Sequence, residues 1–386
     1  MAERIESLDL IRGVAILGIL FMNIMAMATP IEAYYSPFWR EGLSGLEVPL
    51  YHLQSLVFES RFMSMFSLLF GVGLYIQYQS ALAKDLPARA RLFSRLRWLL
   101  LFGLLHGFLL FVGDILTLYA CCGFLLVWLL GMSNKKQFGL ALLFLVLGQL
   151  LMLSLVAAVF FKGVPMVMSE VPLSPEALSA LQQTWTSYPD RLMAQAADFG
   201  QFLLFIPAAA LWHNTGLMLI GILLYKKGFF HQSRFIPWGL ASLVLGLALG
   251  WWVQQLRAEV GFSSDVGFAT MLLMMLTGLL SAIGYCSLLV LAATSGNVLV
   301  RLLKNAGKMA FTLYISQSVL TYLIFVWLVP QYWGQLGRPE LLSLVVGLTV
   351  LQLWFASFWQ QKYGQGPLEK GWRYLAYRRF RQVESE

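Results

Sequence analysis

Long apolar runs alternate with short polar ones along the whole chain. A helix needs about 20 apolar residues to cross a bilayer core roughly 30 Å thick. Ten runs read as such spans: 13–29, 51–80, 98–112, 115–132, 137–161, 201–224, 236–253, 266–293, 309–329 and 340–360. The pattern predicts an all-α membrane bundle of about ten transmembrane helices. Glu59 and Arg61 interrupt the second run, which predicts a tilted span or one broken by a re-entrant part. The runs show no internal repeat, which counts against the repeat-built transporter folds. Two longer polar stretches, 30–50 and 162–200, mix aromatic and acidic side chains and read as a lid or acceptor site on one face. The second also holds Pro165, Pro172, Pro175 and Pro189.

Composition sharpens this picture. Of 386 residues, 59% are hydrophobic and 12% charged, with a mean hydropathy of +0.71. A soluble domain carries about a quarter charged residues. The net charge is +8, but its distribution speaks of topology. With the N-terminus in the cytoplasm, most of the 27 lysines and arginines fall on the inner side. Only Arg40, Lys162, Arg191, Arg257 and Arg338 fall outside, and Arg61 within a span. That is the positive-inside bias, with both termini cytoplasmic, and it gives no reason to invoke nucleic acid. Ala26-Met27-Ala28 has the small-x-small look of a signal-peptide cleavage site. The acidic Glu3, Glu6 and Asp9 before it predict a retained first helix instead. Residues 1–361 form the membrane domain and 362–386 a basic amphipathic tail, expected to lie on the inner leaflet. Cys121, Cys122 and Cys286 lie in apolar runs with no metal-ligand spacing.

Ionisable and amide side chains at membrane depth are costly unless paired or hydrated, so each is a candidate for function. Asp9 and Arg12 share a face at the start of the first span, as an anchor or a ligand contact. Asn23 lies about 16 Å further along that helix, where it glues helices or holds a carbonyl. His52 opens the second span, and Glu59 and Arg61 are too close in sequence to face each other. His106 and Asp114 flank one short hairpin, where a histidine near a carboxylate can move protons. His213, Asn214 and Thr215 read as an interhelical hydrogen-bond cluster. Thr312, Ser316 and Gln317 form a polar stripe suited to a wet cavity. Paired glycines such as Gly246 and Gly250 permit a homodimer contact.

Five segments taken together resemble the YeiB family of bacterial inner-membrane proteins: LDLIRGVAILGILFMNI, RFMSMFSLLFGVGL, LLHGF…GDILTLYA, GKMAFTLYISQS and GPLEKGWR. That family is similar to the transmembrane acyltransferase superfamily, which includes heparan-α-glucosaminide N-acetyltransferase. The opening pattern of that enzyme matches Arg4, Asp9, Arg12, Gly13 and Asn23. The resemblance implies a cytoplasmic acyl-CoA donor, with acetyl-CoA foremost, and a glycan or lipid-linked acceptor beyond the membrane. On that likeness Asn23 helps hold the acyl group. Tyr34 stands where the enzyme has its catalytic histidine, so the base is expected to be His52 or His106. Asp114 is expected beside the base, and Asn23 and Gln317 as oxyanion donors. Donor phosphates are expected on Arg12, Arg95, Arg97, Lys304 and Lys308, with Asp9 in the same donor-binding group. Glu59, Arg61, Tyr34, Thr312 and Ser316 are expected to line the substrate pocket. The same polar groups would also suit a transporter or flippase.

Overall fold

The computed structural model describes residues 5–162, 172–262 and 264–383. Arg4 and Pro165 lie outside the described residues, as does the side chain of Lys162. Nine helical stretches among the described residues are long and apolar enough to cross a membrane. They are Glu6–Ala28, Glu47–Leu82, Ala88–Leu109, Asn134–Ala158, Tyr188–Lys226, Ser233–Glu259, Ala269–Ala292, Ala310–Leu328 and Arg338–Tyr363. The chain is an all-α membrane protein. The tenth expected span is the shorter helix Ile115–Leu129. At 15 residues it is about 22 Å long, short of a roughly 30 Å core. The turn that precedes it, residues 110–114, is buried or half-buried within the protein.

The chain order is α1 (Glu6–Ala28), α2 (Glu32–Tyr35), α3 (Glu47–Val57), α4 (Arg61–Leu82), α5 (Ala88–Leu109), α6 (Ile115–Leu129), α7 (Asn134–Lys162) and α8 (Pro175–Thr186). There follow α9 (Tyr188–Phe205), α10 (Leu211–Lys226), α11 (Ile236–Glu259), α12 (Ser264–Ala292), α13 (Val298–Lys308), α14 (Ala310–Tyr322), α15 (Arg338–Tyr363) and α16 (Pro367–Val383). The second span is broken, one of the two alternatives that its charges predict. Ser60 adopts a left-handed φ of 62° between α3 and α4. The polar stretch expected to run to residue 200 ends earlier. From Tyr188 the chain is helical, passing through a π-helical segment, Ile206–Ala210, into α10. Pro207 lacks an amide hydrogen and so accounts for the irregular turn.

Close backbone contacts fix the helices around one core. At the crossing of α1 and α13, a Cβ on Gly13 would fall 1.9 Å from the Leu303 carbonyl oxygen, and one on Gly307 would fall 1.8 Å from that of Asp9. Only glycine permits such an approach, and it brings Arg12 and Lys308 to one place. Gly246 faces Ser281 of α12 and Gly250 faces the Arg61 guanidinium, so both pack within the chain. At the face remote from the lysine-rich loops, the two polar stretches meet. The Leu173 amide donates to the Trp39 carbonyl at 2.8 Å, and Trp185 stacks on Trp333 at 4.6 Å. Arg338 pairs with Glu47 and donates to the Ala33 carbonyl beneath them.

Candidate functional site

The turn between α5 and α6 places two ionisable groups together. Asp114 caps α6, its Oδ2 accepting the Thr117 amide at 2.7 Å. Such a cap satisfies a helix amide that has no partner within the helix. Gly103 lets α5 lie against this first turn, since a Cβ there would come within 2.4 Å of the Thr117 nitrogen. The second carboxylate oxygen, Oδ1, lies 2.8 Å from Nδ1 of His106. On the other edge of the ring, Nε2 lies 2.8 Å from Oγ of Ser318 on α14. Asp114, Ser318 and His106 are 0%, 2% and 3% exposed. An ionised Asp114 accepts the Nδ1–H and so fixes the tautomer with a free lone pair on Nε2. In that tautomer the lone pair accepts the Ser318 hydroxyl. A hydroxyl, a base and an orienting carboxylate in this order are the parts of an activated nucleophile.

Two cavities lie near this group; His106, Asp114 and Ser318 line neither, but their neighbours Tyr314 and Ile115 line one and Leu110 and Tyr322 the other. The inner one has a volume of about 270 Å³. Arg12, Arg95, Lys308, Glu369 and Trp372 surround it at the basic face. Phe66, Phe70, Tyr119, Ile115 and Tyr314 line its deeper part. Along α4 it extends from Gln77 to Phe66, about 16 Å. The tail helix builds part of the mouth. Glu369 accepts the amides of Phe311 and Thr312 at 2.8 and 3.1 Å, and Arg95 stacks on Trp372 at 3.7 Å. The outer cavity, about 210 Å³, is lined by Leu109, Leu110, Trp185, Tyr188, Arg191, Gln195 and Tyr322, among others. Arg191 donates to the Trp185 carbonyl and the Tyr322 hydroxyl, each at 2.8 Å. On α14 the residues Tyr314, Ser318 and Tyr322 follow at four-residue spacing and share one stripe. The first lines the inner cavity, the last lines the outer one, and Ser318 lies between them.

Comparison with known proteins places the chain. An uncharacterized protein of Escherichia coli, YeiB, is 30% identical over 97% of this chain and 97% of its own length. The chain belongs to the YeiB family. The family described as a protein of unknown function, DUF418, matches residues 224–379, which contain Ser318 and Glu369. An uncharacterized 39.9 kDa protein of Bacillus acidopullulyticus is 29% identical over 98% of this chain and 95% of its own. The uncharacterized protein YxaH of Bacillus subtilis is 25% identical over 97% and 94%. No solved structure matches the chain.

In this YeiB-family chain the expected site residues fall into several groups. Arg12, Arg95 and Lys308 meet at the inner cavity. Asp9 stands 3.5 Å from Arg12, within that mouth region. Arg97 points to the exterior, and Lys304 binds Glu6 and the Ala293 carbonyl. His106 and Asp114 form the buried pair, whereas His52 lies among Tyr51, Trp251 and Phe262 in the middle of α3. Asn23 has a buried Nδ2 without a hydrogen-bond partner among the described residues and lines neither cavity. Gln317 donates to the Ile16 carbonyl and to Gln352, which also bonds Ser316. Thr312 bonds Glu369 and thereby supports the mouth. Glu59 forms a two-pronged pair with Arg257 of α11, and Arg61 donates to carbonyls of Ser55 and Glu59. Tyr34 packs beside Tyr35 in α2. Burial and the nearby Glu59 carboxylate hold its hydroxyl well above the usual tyrosine range.

Ser318 is the residue that sequence reasoning missed. It lies 212 positions from His106, and a serine in an apolar helix reads as packing. The spacing of Tyr314, Ser318 and Tyr322 was the available signal, since it puts three hydroxyls on one face.

Proposed function

We propose that this YeiB-family protein is an acyltransferase of the bacterial inner membrane. It takes an acyl group from cytoplasmic acyl-CoA, acetyl-CoA foremost, and delivers it to a hydroxyl or amine of a glycan or lipid-linked acceptor at the far face. The observation that carries this reading is the buried His106, oriented by Asp114 and set between an inner cavity with a cationic mouth and an outer aromatic one. The inner cavity suits a thin acyl-bearing arm, with the nucleotide phosphates left at Arg12, Arg95 and Lys308. His106 then serves as the proton acceptor for the reaction.

The test is made in proteoliposomes with radiolabelled acetyl-CoA on the basic side and glucosamine or a bacterial lipid extract on the other. Saturable donor binding and release of free thiol that depends on acceptor are expected. Solute flux without thiol release, or no donor binding at all, overturns the reading.

A further inference from the structure

We propose that Ser318 is the covalent relay of this transfer: it receives the acyl group from the inner cavity as an ester and surrenders it to an acceptor in the outer one. The inference rests on the acyltransferase reading and names a catalytic residue within it. Its ground is the occupancy of His106. One ring nitrogen is taken by Asp114, and the lone pair of the other is directed at Ser318 Oγ 2.8 Å away. An acceptor hydroxyl cannot bind that nitrogen without displacing Ser318. The group that His106 is placed to deprotonate is therefore the serine itself.

The location supports the same conclusion. Tyr314 on the inner side and Tyr322 on the outer side each stand one helical turn, about 5.4 Å, from Ser318 along α14. Two substrates that approach from opposite faces can use one serine in turn. Direct transfer would require both in one opening through the membrane. Thr321, three residues on, has a buried hydroxyl without a hydrogen-bond partner among the described residues. It is available to stabilise charge that develops next to Ser318.

The chemistry balances in two halves. Ser318 Oγ attacks the thioester carbonyl carbon as its proton passes to Nε2 of His106. The carbon–sulfur bond breaks, and His106 returns the proton to the leaving thiolate, so that CoA leaves as the free thiol. An acceptor hydroxyl or amine next gives its proton to Nε2 and attacks the ester carbonyl. The carbon–Oγ bond breaks, and the proton returns to Ser318. Neither oxidant nor reductant is required.

The first half needs no acceptor and is tested alone. The purified full-length protein is incubated with isotopically labelled acetyl-CoA and analysed by intact mass and peptide mapping. The expected result is a gain of one acetyl group on the peptide that contains Ser318. Ser318→Ala is expected to lose the label and at least about a hundredfold of turnover. Ser318→Cys is expected to retain a label, now as a thioester labile to neutral hydroxylamine. Each variant is compared at equal, monodisperse protein. Turnover by Ser318→Ala near the wild-type rate overturns the relay and leaves the acyltransferase reading standing. So does bound donor with no label in either wild type or Ser318→Cys. Failure of acetyl-CoA to bind overturns both.

Discussion

Arg257 of α11 donates to both carboxylate oxygens of Glu59, at 2.9 and 3.1 Å, across to the break between α3 and α4. The two residues are 2% and 5% exposed. Removing one partner leaves the other charge buried, at a cost of about 3–5 kcal/mol. Arg257→Ala is therefore expected to lower the melting temperature in detergent strongly. The double variant Glu59→Gln, Arg257→Met is expected to recover part of the loss, since that ion pair is removed as a unit, while the buried Arg61 beside Glu59 keeps the recovery incomplete. Equal losses in the single and double variants would contradict this account.

Asp114 has two functions that one substitution separates. Asparagine also caps helices well, so Asp114→Asn is expected to leave the melting temperature almost unchanged. It removes the carboxylate that sets the histidine tautomer. Acyl transfer is then expected to fall by about 10²–10⁴-fold. The paired measurement of turnover and melting checks both halves, and a parallel loss of stability would count against the assignment.

Three cations meet at the inner mouth, and two that were expected there do not. Arg12→Ala and Lys308→Ala are each expected to weaken acetyl-CoA binding about tenfold, as a charge-assisted contact of about 1.5 kcal/mol implies. The effect is expected to shrink as salt rises, because the mouth is wet enough for screening. Arg97→Ala is expected to leave binding unchanged. A titration of donor affinity against ionic strength for all three variants distinguishes a phosphate site from a general surface charge.

Glu369 ties the tail helix to the first turn of α14 through two amides and the Thr312 hydroxyl. Glu369→Ala is expected to cost about 1 kcal/mol, the usual worth of a lost cap. Glu369→Gln keeps an acceptor oxygen and is expected to restore most of it. Thermal melts of the two variants decide the matter. Equal stability of wild type and Glu369→Ala would mean that α16 is held by its other contacts, among them Trp372 on Arg95, Tyr377 on Arg91 and the Ala376 carbonyl, which accepts from Ser94.

The spans were legible in the chain because membrane depth imposes a length and a polarity that any sequence must display. The His106–Asp114 pair was legible for the same reason, as two ionisable groups in one short hairpin are hard to explain as filler. Residue identity along a helix does not reveal which neighbour it will meet. Arg95 and Arg97 are indistinguishable in a charge count, yet one stacks on Trp372 and the other is exposed. Glu369 reads as the acidic first turn of its own helix, whereas it caps another. Glu59 and Arg61 announce partners elsewhere, but Arg257 falls in what the charge pattern assigns to an outer loop. Its burial follows from α11 continuing to Glu259, several residues beyond the expected span.

The docking of α16 also bears on biogenesis. Trp372 and Glu369 follow every membrane span in chain order, so they are the last side chains of the inner mouth to be synthesised. The hydroxyl of Ser318, the imidazole of His106 and the carboxylate of Asp114 all precede them, so the entrance is completed after the buried group it would serve. If the protein is the acyltransferase proposed above, a chain truncated before α16 is expected to hold the buried group and lack the donor's door.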